Sequence, residues 1–263
     1  MVARDSGMLD RGRILGDLAL QLGDEELFLG HRDSEWLGLA PEIEEDVAFA
    51  SMAQDEVRHA AFWYELAETA GMGQADALAF DRPATDRRHA ALCARPNGDW
   101  AHTVLRHYLY DAWDAVRLMA LAEAGEETVA QGARRMLREE HYHHLHMEKW
   151  VVDLGRAGGE AGQRLLKAFQ ALLPDLPHLA AFAVDPQALV DLGILARPLP
   201  DLRREFVARI SPTLAKAGLP VHPVEAALAA QPEDRARSVA PLADAEELLS
   251  TMNGVRSLGA AAW

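Results

Sequence analysis

Two short segments of this chain, Glu56-Val57-Arg58-His59 and Glu140-His141-Tyr142-His143, share the spacing Glu-x-x-His. Each lies in the middle of a long proline-free stretch. Residues three apart share a face only on a helix, where their Cβ atoms stand about 5–6 Å apart. A carboxylate and an imidazole placed this way can serve one metal ion from one helix. The flanking sequence repeats too. A glycine follows each Glu by 15 residues, Gly71 and Gly155, and an acid precedes each at a matching interval, Glu26 by 30 residues and Asp111 by 29. The chain reads as two helix pairs, each offering a carboxylate and then a Glu-x-x-His, which predicts a pseudo-two-fold four-helix bundle.

The punctuation agrees. Ile14, Leu15, Leu18, Leu22 and Leu29 are spaced like one face of a helix over about residues 12–36. Pro41 and the acidic turn Glu42, Glu44, Glu45 and Asp46 open a second helix that can run to Gly71, about 30 residues or roughly 45 Å. A segment rich in loop signals covers 72–99. A third helix is expected over 100–124 and a fourth over 126–155, separated by Gly125. Beyond Gly155, shorter helices are expected at 164–173, 188–196, 201–210, 212–217, 224–230 and 244–253. The reading is one all-α domain over 1–263, a core bundle at about 12–155 with a C-terminal helical extension at 156–263.

Composition limits function. The 263 residues carry 26 Lys plus Arg against 41 Asp plus Glu, a net charge of −15, which argues against a nucleic-acid binder. No apolar run is long enough to span a membrane, and residues 1–13 are too charged for a signal peptide. Cys93 is the one cysteine, so no disulfide framework exists and a reducing, cytoplasmic setting is expected. No phosphate-cradling glycine loop or Gly-x-Ser-x-Gly elbow occurs.

Four carboxylates and two histidines from four helices are the donor set of bundle-embedded di-iron or di-manganese sites. Their −4 charge would balance two divalent ions. The candidate ligands are Glu26, Glu56, His59, Asp111, Glu140 and His143. Asp24 and Glu25 compete with Glu26, and Asp114 with Asp111. His141, His144 and His146 read first as residues on other faces of the fourth helix. Tyr64, Tyr110 and Tyr142 read first as packing groups, as do Met119, Met136 and Met147. Arg134, Arg135 and Arg138, with Arg203, Arg204 and Arg209, read as solvated helix faces that could also meet an anionic substrate.

Four landmarks carry a family resemblance: Leu22-Gly23-Asp24, Ala40-Pro41-Glu42, Pro96-Asn97-Gly98-Asp99 and Tyr110-Asp111-Ala112-Trp113. In their order and spacing the chain resembles the phenylacetic acid catabolic family, whose members form the multicomponent phenylacetyl-CoA 1,2-epoxidase. The likeness is clear over about 22–155 and fainter to Trp263. It is greatest to the C-type subunits, which commonly lack a complete ligand set. Here Gln54 to His59 and Glu139 to His143 resemble the A-type motifs instead. The resemblance implies a ferritin-like fold, a di-iron centre (with manganese as the alternative metal) held by the six candidates, and O2-dependent epoxidation of an aryl-CoA ring. It also implies a hetero-oligomer with a homologous catalytic-type subunit and a separate reductase. The alternatives are a scaffold subunit without chemistry, a homodimer working alone, and a ferritin-like storage or peroxide-detoxifying protein.

Overall fold

The computed structural model describes residues 2–229 and 242–262, with side chains left undescribed at 2–10, 255 and 257–262. Helices make up most of it, and no strand occurs among the described residues. The chain divides into two compact units, Met1–Pro96 with Phe182–Val184 and Arg235–Trp263, and Asn97–Ala181 with Asp185–Asp234.

The first unit is built on α1 (Val2–Ser34) and α2 (Ile43–Thr69), joined by a turn in which the Asp46 carboxylate accepts from the Gly38 and Ala40 amides. Leu18, Leu22, Phe28 and Leu29 of α1 are fully buried, as are Phe49 and Trp63 of α2. The expected loop over 72–99 contains two short helices, α3 (Ala75–Phe80) and α4 (Ala91–Ala94). α4 is tied to α1: the Arg32 guanidinium donates twice to the Ala94 carbonyl, at 2.8 and 3.1 Å.

The second unit centres on α5 (Trp100–Ala122), opened by Asp99, whose side chain accepts from the His102 amide. It packs on α6 (Glu127–Ala157), α7 (Gly159–Leu172) and, beyond α8 (Leu176–Leu179) and α9 (Pro186–Asp191), on α10 (Leu199–Lys216). Almost every residue of α5 is buried, charged ones included. The charged groups are hydrogen-bonded rather than stranded: Arg117 binds Asp114 and donates to the Tyr110 hydroxyl at 2.9 Å, and Arg106 donates to the Asn97 side chain at 2.5 Å. Gly155 of α6 faces the backbone at Ala217 so closely that no Cβ would fit.

Two expected helices, 201–210 and 212–217, form the single helix α10 with Pro212 inside it. Proline removes one backbone bond, but Phe206, Ile210, Thr213 and Leu214 are buried on both sides of it and hold the helix together. α11 (His222–Ala229) follows, and α12 (Leu242–Ala262), which belongs to the first unit, extends the short helix expected there. The expected helix end at Ala230 lies outside the described residues. No described helix is long and apolar enough to cross a membrane.

Candidate metal centre

In the first unit Glu26 comes from α1, and Glu56 and His59 come from α2. All three are buried, with exposures of 1, 0 and 2 %. His59 Nδ1 lies 3.8 Å from Glu26 Oε2 and 3.9 Å from Glu56 Oε2. One donor atom from each of the three falls within 4.8 Å of the others. Donors about 2.1 Å from one octahedral ion stand about 3.0 Å apart when adjacent and about 4.2 Å apart when opposite. The separations of 3.8 and 3.9 Å from His59 Nδ1 lie between these two values, so the three donors are close enough to converge on one divalent ion after small side-chain rotations.

Gly30 explains why α1 comes so close. A Cβ there would lie 2.8 Å from the Glu56 Cβ and 3.1 Å from the Ala53 carbonyl oxygen. Only hydrogen at this position lets the two helices meet one turn beyond Glu26. Asp33, also buried, brings a carboxylate oxygen within 4.8 Å of Glu56. Sequence reading missed it, although Asp33 stands seven residues after Glu26 on the same face.

The three consecutive acids of α1 have separate surroundings. Asp24 binds Arg82 and Arg87, accepts the Tyr64 hydroxyl at 2.7 Å and accepts the Arg88 amide at 2.8 Å. Burial works to raise its pKa, but the two guanidinium groups outweigh it and hold the carboxyl below its ordinary value. Glu25 accepts from the Gln21 side chain at 3.0 Å. Glu26 alone of the three stands beside His59.

The second unit repeats the arrangement with α5 and α6. Glu140 and His143 lie 3.4 Å apart, Oε1 to Nδ1, and both are buried. Asp111 is fully buried and within electrostatic reach of both. Its Oδ1 lies 2.6 Å from Nδ1 of His107, one turn earlier on α5. Burial pushes the Asp111 carboxyl up to about 6, against the opposing pull of His107. The His107 and His143 rings meet edge to face at 6.2 Å. His107 went unread in the sequence, and its signal was the i−4 spacing to Asp111. Asp114 is engaged by Arg117 instead.

The remaining candidates divide by exposure. Tyr64 and Tyr110 are buried, and Tyr142 is 72 % exposed. Met136 and Met147 are in the core, whereas Met119 is half-buried. His144 is buried and stacks on Tyr108 at 5.1 Å, while His141 is exposed. Cys93 is fully buried on α4. Arg134, Arg135 and Arg204 lie on exposed helix faces.

A family model described as phenylacetic acid catabolic protein matches residues 3–257. The chain belongs to this family. Its all-α, ferritin-like fold is the one expected from the sequence. Among curated proteins the chain is similar to the C-type subunit of the 1,2-phenylacetyl-CoA epoxidase of Escherichia coli (strain K12). The two are 35 % identical over 183 residues, covering 65 % of this chain and 74 % of the relative. The resemblance carried by the four sequence landmarks is thereby borne out.

Proposed function

We propose that this chain is a component of a multi-subunit, O2-dependent di-iron epoxidase acting on the ring of an aryl-CoA thioester in phenylacetate breakdown. The observation that carries the reading is the spacing of Glu26, Glu56 and His59, three buried donors from two helices at separations suited to one ion. The second Glu-x-x-His, with Asp111 in reach, supports an equivalent role for Asp111, Glu140 and His143. The likeness to an epoxidase component supports the reaction class.

When bound, iron would supply the activation of O2 and its transfer to the ring. The chain's residues do the rest. The glutamates and histidines fix coordination, and manganese would accept the same donors. His107 holds the Asp111 carboxylate in place through its Nδ1. Burial of all six candidates at 5 % exposure or less would keep bulk water from bound metal. Electrons would come from a separate reductase; the single cysteine cannot supply the thiolates of an iron–sulfur cluster.

Metal analysis of protein grown with iron tests the reading. About two irons per chain are expected, falling in Glu56→Ala and in Glu140→Ala. Full occupancy in both variants would sink the ligand assignment. The likeness to a C-type subunit favours a second reading, in which the chain supports a homologous catalytic subunit. Failure of the reduced, iron-loaded protein to convert an aryl-CoA alone, together with a rise in the turnover of an iron-loaded A-type subunit when the metal-free protein is added, would establish that one.

A further inference from the structure

The outer face of α2 is the least expected surface of the first unit. Ile43 and Val47 are 74 % and 68 % exposed, and Val57 is 46 % exposed. With Ala50 and Gln54 between them, these residues recur at intervals of 4, 3, 4 and 3. That is the spacing of a seam meant to meet another helix, and the opposite of the polar face a solvated helix presents. Leu39, 72 % exposed, extends the patch into the preceding turn. Beside the stripe opens a cavity of about 540 Å³, lined by Leu27, Gly30, Leu37, Ala53, Val57 and Phe80 among others. Apolar stripe and apolar cavity are continuous, because Ala50, Gln54 and Val57 belong to both.

We infer that this face docks an amphipathic helix of a homologous subunit of the same family, with apolar side chains on the stripe and one entering the cavity. The inference rests on the multi-subunit reading above and adds to it the surface used. Two observations select the occupant. Glu42 and Glu44 are exposed at the N-terminal end of the stripe, so the incoming helix should carry Lys or Arg there. A second copy of this chain, with the same exposed glutamates beside its stripe and a whole-chain net charge of −15, would be repelled, so a less acidic chain is the better fit. Gln54, the one polar residue in the seam, would fix the register, as single polar residues do in helix pairs.

The experiment uses the full-length protein and the A-type subunit from the same source, purified separately and mixed at about 0.15 M salt. Sedimentation velocity measures complex formation, and hydrogen exchange locates it. The expected result is a hetero-complex with new protection over 43–57. Substitution of Ile43→Glu together with Val47→Glu should weaken it by about 30-fold or more, the scale of central interface residues. Both side chains are exposed, so helical content and melting should be unchanged. Leu166→Glu, an exposed apolar position on α7 of the other unit, should leave binding intact.

Undiminished binding by the double variant, protection confined elsewhere, or no complex with wild type would each overturn the proposal. Protection of 43–57 on self-association, without the A-type subunit, would assign the face to a second copy and overturn it likewise. Iron content measured on the same preparations separates the two readings. Lost metal sites with an intact complex would sink the di-iron assignment alone, and the converse would sink only the docking face.

Discussion

At the scale of single residues, the acids of α1 show how neighbours assign roles to identical chemistry. Asp24, Glu25 and Glu26 are adjacent in sequence and all buried, yet one meets two arginines, one a glutamine and one a histidine. Asp24 is the structural member of the three. Replacing it with Asn leaves Arg82 and Arg87 around a neutral amide, and breaking a buried pair this way costs about 3–5 kcal/mol. The native carboxyl sits below its ordinary 3.8. Its contribution is therefore fully present above that value and is lost as pH falls through the folded pKa. Asp24→Asn should lower the denaturant midpoint at pH 7 and flatten the acid limb of the stability profile. An unchanged midpoint would show that Arg82 and Arg87 do not depend on this carboxylate.

At the scale of elements, the close pairing of α1 with α2 depends on Gly30. Alanine there places a Cβ at 2.8 Å from the Glu56 Cβ, so one helix must shift. Overpacking of this kind costs about 1–3 kcal/mol. Because the displaced atoms belong to Glu56, Gly30→Ala should lose iron from the first triad at a modest cost in melting temperature. Serial iron determination and calorimetry on one sample check this, and a variant with full iron and wild-type melting would refute it. The helices themselves were legible in the sequence. Periodic leucines, Pro41, Gly71, Asp99 and Gly125 mark the four long ones to within a few residues, save that α1 begins ten residues earlier. α3 and α4 were not legible, because four- and six-residue helices have too little period to read. Pro212 misled for the opposite reason: a strong local breaker was overruled by buried contacts along α10.

At the scale of the whole molecule, the proposed metal would be linked to stability. The first triad buries two carboxylates beside one imidazole, which is costly unless a cation or protons join them. An ion that binds only the folded chain stabilises it by about 2.7 kcal/mol at a hundred times its dissociation constant. For a chain of this size that corresponds to roughly 5–10 °C in melting temperature. Anaerobic addition of ferrous iron to metal-free protein should produce such a rise in wild type and a smaller one in Glu56→Ala. Equal rises in both would detach the stabilisation from the triad.

The sequence by itself determined the all-α class, the placement of the long helices and both Glu-x-x-His pairs, because each follows from spacing along a helix of fixed pitch. It favoured Glu26 over Asp24 and Glu25, and Asp111 over Asp114, only by the matching 30- and 29-residue intervals, because neighbouring residues differ chiefly in the direction their side chains take. Tertiary structure gave each its own surroundings: Arg82 and Arg87 engage Asp24, Gln21 engages Glu25, Arg117 engages Asp114, and Glu26 and Asp111 face histidines. It also supplied Asp33 and His107, and it left the heptad-spaced face of α2 uncovered. Helical period says which residues share a face; only the packing of other elements decides what that face meets.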